Sequence, residues 1–281
     1  MIKIVTDSTS YLSQDFVEQH DIRVVPLNIL FGSKSHREGV DLGYDQFYSM
    51  LAEAEGLPTT SQPAVGDFLT VYSELLKAGH EVISVHISSA LSGTVDSALS
   101  ARKMLPEPDR VSVVDSLSTA MGLELMVRAT LDAVHAGQDR SEIVAWLEQL
   151  AGRLHLYFMV DTLEYLRKGG RIGGASALMG TVLQFKPILF LKEGKIEPWG
   201  KVRTKRKAVS KLLDIVEEKA DGQPVGKVCV GHAQAQDEAE LLMQKLQKRL
   251  DCDEFHVSQI GPVIGTHVGP GSLGIAVYNT D

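Results

Sequence analysis

Residues 82–105 read VISVHISSALSGTVDSALSARKML. Val82–Ile87 is a compact, β-branched run that predicts a buried strand. Ser88–Thr94 is hydroxyl-bearing and small residues around Gly93, with Leu91 the one large side chain, and a helix follows to Leu105. The same alternation extends in both directions. Ile2–Val5 predicts a strand ending in the turn formers Thr6-Asp7-Ser8-Thr9. Ser10–His20 reads as a helix, and Ile22–Phe31 as a strand broken by Pro26. Tyr44–Glu55 is helical, a loop covers Pro58–Pro63, and Ala64–Lys77 is a helix. Arg110–Val114 is a strand, followed by helices over Leu117–Ala136 and Ser141–Leu150. Strands alternating with helices at these lengths predict an α/β fold with a largely parallel sheet.

The texture changes near residue 155. Leu156–Val160, Val225–Val230, Phe255–Ile260 and Leu273–Tyr278 predict strands. Ile188–Leu191 and Ile196 flank a hairpin turn at Lys192-Glu193-Gly194-Lys195. Helices over Thr204–Lys219 and Gln236–Leu250 complete an α+β half. The boundary is placed at 151–155, giving an N-terminal α/β domain over 1–153 and a C-terminal α+β domain over 154–281.

Composition excludes several classes. The 281 residues are 44% hydrophobic and 23% charged, which fits an ordinary globular protein and not a disordered or fibrous one. Cys229 and Cys252 form no CxxC, so neither a disulfide framework nor a structural zinc is expected. A net charge of −8 argues against nucleic acid as a partner and allows at most transient contact with an anionic membrane. The N-terminal apolar run is too short for a signal-peptide core, and no window reaches the roughly 18 apolar residues of a membrane span. A cytoplasmic location is the expectation. Residues 269–274 match GxGxxG, but strand-like residues follow and the chain ends at Asp281, so no dinucleotide site is expected. Walker A, GxSxG and HExxH patterns are absent, and no resident cofactor is expected.

Three hydroxyl- and histidine-bearing segments remain. Ser88–Thr94 lies between a strand and a helix, where it serves either as a helix cap or as an anion site. Thr59-Thr60-Ser61 sits between Pro58 and Pro63, and reads as a stiffened surface turn or a second hydroxyl cluster. His267, in Gly265-Thr266-His267-Val268-Gly269-Pro270-Gly271, is either a solvated turn histidine or an imidazole presented to a ligand between two strands. Arg171, in Lys168-Gly169-Gly170-Arg171-Ile172-Gly173-Gly174, either anchors a buried polar network or stays in solvent. Lys201, Arg203, Lys205, Arg206 and Lys207 place five cations in seven residues, several of them at a helix start, where the macrodipole disfavours them. That placement points to a partner carrying negative charge.

Taken in order, TDSTS (6–10), PTTSQP (58–63), SSALSGT (88–94), VVDS (113–116), DTLEYLRKGGRIGG (161–174), KVRTKRKA (201–208) and GPVIGTHVGPGSLG (261–274) resemble the DegV family of bacterial fatty-acid-binding proteins. Ala90 stands where that family more often has Gly. The resemblance implies a two-domain fold with one long-chain fatty acid held between the domains. It further implies that the protein is the acyl-binding partner of a fatty acid kinase. The kinase's ATP-binding subunit would phosphorylate the presented carboxylate to an acyl-phosphate for phospholipid synthesis. By motif, Thr60, Ser61, Ser92 and His267 would surround the carboxylate, with Gly93 and Thr94 nearby. Arg171 would support His267, and Arg203 and Arg206 would face the kinase. Leu30, Leu91, Met121, Leu178, Leu183, Phe185 and Ile264 are candidates for the apolar tunnel. Two other readings stay open: a stand-alone esterase or acyltransferase using Ser92 and His267, and a lipid sensor that binds without handing on its ligand.

Overall fold

A computed structural model describes residues 1–180, 185–220, 222–252 and 254–280. Its first half holds β1 (Ile2–Asp7), α1 (Gln14–Gln19), β2 (Arg23–Val25), β3 (Asn28–Phe31), β4 (Lys34–Arg37), α2 (Tyr44–Glu53), β5 (Thr59–Ser61), α3 (Val65–Lys77), β6 (Glu81–His86), α4 (Thr94–Lys103), β7 (Val111–Asp115), α5 (Met121–His135) and α6 (Arg140–Arg153). The second half holds β8 (His155–Met159), α7 (Glu164–Lys168), β9 (Lys186–Lys192), β10 (Lys195–Val202), α8 (Lys205–Ala220), β11 (Val225–His232), α9 (Gln236–Leu246), β12 (Phe255–Gln259), α10 (Pro262–Val268) and β13 (Leu273–Asn279).

The parallel sheet has the order β2-β1-β6-β7. Its inner strand β6 is almost wholly buried, which is why Val82–Ile87 carries little of the polar alternation of a half-exposed strand. Every strand of the six-stranded sheet, ordered β10-β9-β8-β13-β11-β12, comes from residue 155 onward. Helix α5 packs against β1 and β6 on one side and β11 and β13 on the other. Eleven of its residues, from Met121 to Ala133, are buried, as befits a helix that is apolar nearly all round.

Three expectations are corrected. Ile22–Phe31 is not one interrupted strand: β2 joins the parallel sheet, while β3 crosses into a separate antiparallel sheet ordered β4-β3-β5. Pro26 sits where the chain changes sheets, a position that needs no ladder donor. Thr59–Ser61 is not a free loop but β5, with Thr60 opposite Ile29 and Ser61 opposite Asn28. The N-terminal helix also begins later than expected. Ser8–Ser10 form one 3₁₀ turn, Tyr11 takes φ +49°, and Ser13 caps α1 by accepting the Phe16 N–H. The hairpin between β9 and β10 is as expected, with Glu193 and Gly194 at φ +50° and +76° supplying the turn.

The TDSTS segment is a buried clasp. Asp7 accepts from Thr9 N–H (3.0 Å) and Ile87 N–H (2.9 Å), and lies 3.1 Å from His86 Nδ1. It thereby fixes the end of β6, from which the Ser88–Thr94 loop departs.

Candidate functional site

The loops after β5 and β6, the start of α5, and α10 enclose a cavity of about 230 Å³. Thr60, Ser61, Ser92, Arg171 and His267 all lie on its wall, brought together from four separate stretches of sequence. The rest of the lining is mainly aliphatic and aromatic, including Ile87, Leu91, Met121, Leu156, Phe158 and Ile264.

His267 stands in the last turn of α10, so the reading of it as a turn residue between strands is corrected: Pro262 opens a helix there. The start of that helix is held from the other half of the chain. Val263 N–H donates to Glu38 Oε1 at 2.7 Å, and Ile264 N–H donates to the Tyr11 hydroxyl at 3.0 Å. The imidazole is 8% exposed, and its Nε2 lies 2.9 Å from Thr60 Oγ1. Burial, followed by the nearby Arg171 charge, pushes its pKa down to about 4, so it is neutral at pH 7. Nδ1 is buried without a hydrogen-bond partner. A β-carbon on Gly169 would overlap Nδ1, so glycine is what lets the ring lie against that turn. With the proton on Nε2, only a lone pair at Nδ1 goes unmatched, the cheaper of the two deficits. Nε2–H then donates to Thr60 Oγ1, which leaves the threonine hydrogen free for an acceptor in the cavity.

The other residues divide between wall and support. Ser92 Oγ lies 2.9 Å from Thr94 Oγ1. Thr94 is fully buried, and neither it nor Gly93 reaches the cavity wall. A β-carbon at Gly93 would overlap the Gln62 side chain, which crosses there to donate to Ser97 Oγ at 3.1 Å. Arg171 donates from Nε to Leu91 O (3.1 Å) and from one terminal nitrogen to Gly169 O (2.9 Å), binding the turn after α7 to the hydroxyl loop. Its effect on His267 is electrostatic. Arg203 and Arg206 are exposed at the start of α8 and lie off the cavity, while Lys205 pairs with Glu238 at 2.7 Å.

Of the expected tunnel residues, Leu91, Met121 and Ile264 line the cavity, whereas Leu30, Leu178 and Phe185 do not. Leu30 fails because β3 turns Ile29 into the core and leaves Leu30 on the opposite face. Phe185 instead lies under Lys201 Nζ, 5.1 Å from its ring centroid. Leu183 falls outside the described residues. Sequence reasoning missed Gln62 and Thr119 on the wall. Gln62 was within a quoted motif, but nothing local marks it as crossing Gly93. Thr119 Oγ1 is buried and unpaired beside Ala120, whose φ of +48° and ψ of −124° is unusual for a residue with a side chain.

A parallel sheet, a mixed six-stranded sheet, a small antiparallel sheet and an apolar cavity tipped with hydroxyls and a neutral imidazole define the class of this α/β protein. The family model described as "Uncharacterised protein, DegV family" matches residues 1–280. The chain belongs to the DegV family. It is 37% identical over 276 residues to Protein DegV of Bacillus subtilis, covering 98% of each chain. Among solved structures, it is similar to a fatty-acid-binding DegV family protein of Thermus thermophilus, with a TM-score of 0.94, 37% identity and 99% of each chain covered. It is also similar to a stearic-acid-binding protein of Eubacterium ventriosum, with a TM-score of 0.93, 28% identity, and 99% of this chain and 98% of that one covered. Among the described residues, no helix is long and apolar enough to cross a membrane.

Proposed function

We propose that this protein binds one long-chain fatty acid between lobes formed by residues 1–153 and 154–281, and presents its carboxylate to a kinase. The reading rests on one observation above all: Thr60 and His267, 207 residues apart, share a hydrogen bond at the wall of an otherwise apolar cavity. In this reading Thr60, Ser61 and Ser92 donate to the carboxylate, while His267 sets the direction of the Thr60 hydroxyl. Gly93 and Thr94 shape the loop that carries Ser92. Arg171 supplies a positive charge nearby, compensating a buried anion without itself closing on it. The tail accounts for most of the affinity, at about 0.8 kcal/mol per buried methylene, and the hydroxyls fix orientation. Arg203 and Arg206 form the face on which the kinase docks, and the kinase brings the ATP that converts the carboxylate to an acyl-phosphate.

A hydrolase using Ser92 is less well supported, because Ser92 Oγ bonds to Thr94 and His267 Nε2 to Thr60, leaving Ser92 without a paired base. Native mass spectrometry of purified protein should reveal a fatty acid released on denaturation. Addition of a fatty acid kinase and ATP should then consume it as acyl-phosphate. Protein that is empty and refuses added fatty acid sinks the binding role; bound acid that no kinase phosphorylates leaves a lipid sensor.

A further inference from the structure

We propose that Met121 sets the length of acyl chain the cavity accepts, and that Gly231 and Gly274 make this possible. The proposal rests on the fatty-acid reading above. Met121 is the first residue of α5, 2% exposed and on the cavity wall. Gly231 on β11 and Gly274 on β13 face each other across the antiparallel pair. A β-carbon on Gly231 would overlap Met121 Sδ, and the three atoms nearest to it all belong to Met121. A β-carbon on Gly274 would overlap Met121 Cε. Neither glycine takes a left-handed φ, so the backbone there suits any residue. What the two glycines provide is an empty slot across neighbouring strands, and the thioether of Met121 fills it.

The volume gives this slot its consequence. A cavity of about 230 Å³ lies below the roughly 300–1,000 Å³ usual for small-molecule sites, so a long tail has to displace part of the wall. Among the described apolar lining residues, Met121 alone has an unbranched side chain with three rotors, the kind that repacks at least cost. How deeply it sits in the slot therefore decides how many methylenes fit. Each methylene gained or refused changes affinity about fourfold.

The test offers an equimolar ladder of saturated fatty acids to the full-length protein and reads the bound chain lengths by native mass spectrometry. Met121→Ala should move the distribution about two carbons longer, roughly the reach of the side chain removed. Gly231→Ala should move it shorter, because the new methyl group drives the thioether into the cavity. The double variant should follow Met121→Ala, since the atoms that Gly231→Ala displaces are gone. Met121→Phe should also shorten the preference, and carries the test if Gly231→Ala does not fold. A distribution unmoved in both Met121 variants, or a double variant that tracks Gly231→Ala, overturns the proposal while leaving fatty-acid binding intact. A wild-type protein that binds no rung of the ladder overturns both.

Discussion

Glu38 holds the helix that carries His267: its Oε1 accepts the Val263 N–H at 2.7 Å. Ser8 Oγ donates to the other oxygen at 2.6 Å, and the Tyr11 hydroxyl reaches Oε1 at 3.3 Å. Desolvation outweighs these hydrogen bonds and, with the nearby Asp7 charge, raises the Glu38 pKa from 4.5 to about 7. A carboxyl raised by folding stabilises fully below its unfolded pKa, and that contribution is lost as pH rises through the folded value. Glu38 should therefore remove about 3 kcal/mol of stability between pH 4.5 and 7. His267 acts in the opposite sense. Its folded pKa is depressed, so its contribution is present above pH 6.5 and lost as pH falls toward 4. Urea melts of wild type and Glu38→Gln across this range should differ by a curve that flattens below pH 4.5. A pH-independent difference would show that Glu38 is already ionised in the fold.

The Thr60–His267 bond predicts an order among the hydroxyl variants. Thr60→Val removes a donor to the ligand and strips His267 Nε2 of its partner, so it should weaken fatty-acid binding more than Ser61→Ala. Ser92→Ala should cost about 1.5–3 kcal/mol if its hydrogen bond to the carboxylate is charge-assisted. Isothermal titration with a single fatty acid would rank the three. Affinity unchanged from wild type in all three folded variants would move the head group elsewhere.

Gly169→Ala tests the site without touching any ligand donor. Its methyl group would overlap His267 Nδ1, forcing the ring off Thr60. Binding should fall by about tenfold, the worth of one hydrogen bond to a charged group. In the wild type, nitrogen NMR should find the imidazole neutral down to about pH 4. A ring titrating near its ordinary value would mean that it is solvated.

Arg203 and Arg206 should separate binding from transfer. Both are exposed, in a chain of net charge −8. Replacing both with Ala should slow kinase-dependent acyl-phosphate formation and leave lipid affinity nearly unchanged. Rim charges act mainly on association rate, so the wild-type rate should fall with salt more steeply than the variant's. Unchanged turnover would return these arginines to a simple solvated face.

Much of this protein was legible locally. The strand, hydroxyl loop and helix of residues 82–105 follow from side-chain periodicity and from Gly93, properties set by neighbours a few positions apart. The hydroxyl clusters at 59–61 and 88–94 and the unusual His267 were visible as candidates for the same reason. Tertiary structure decided what they became. Only the pairing of Thr60 with Ile29 turns a proline-bracketed segment into a strand aimed at the cavity. Only the hold of Glu38 and Tyr11 on the start of α10 carries His267 to within 2.9 Å of Thr60. The slot for Met121 likewise exists because Gly231 and Gly274, 43 positions apart, fall opposite one another in the sheet. Periodicity reports which face of an element is apolar. It carries no information about which distant face covers it, because that is settled by the packing of the whole chain.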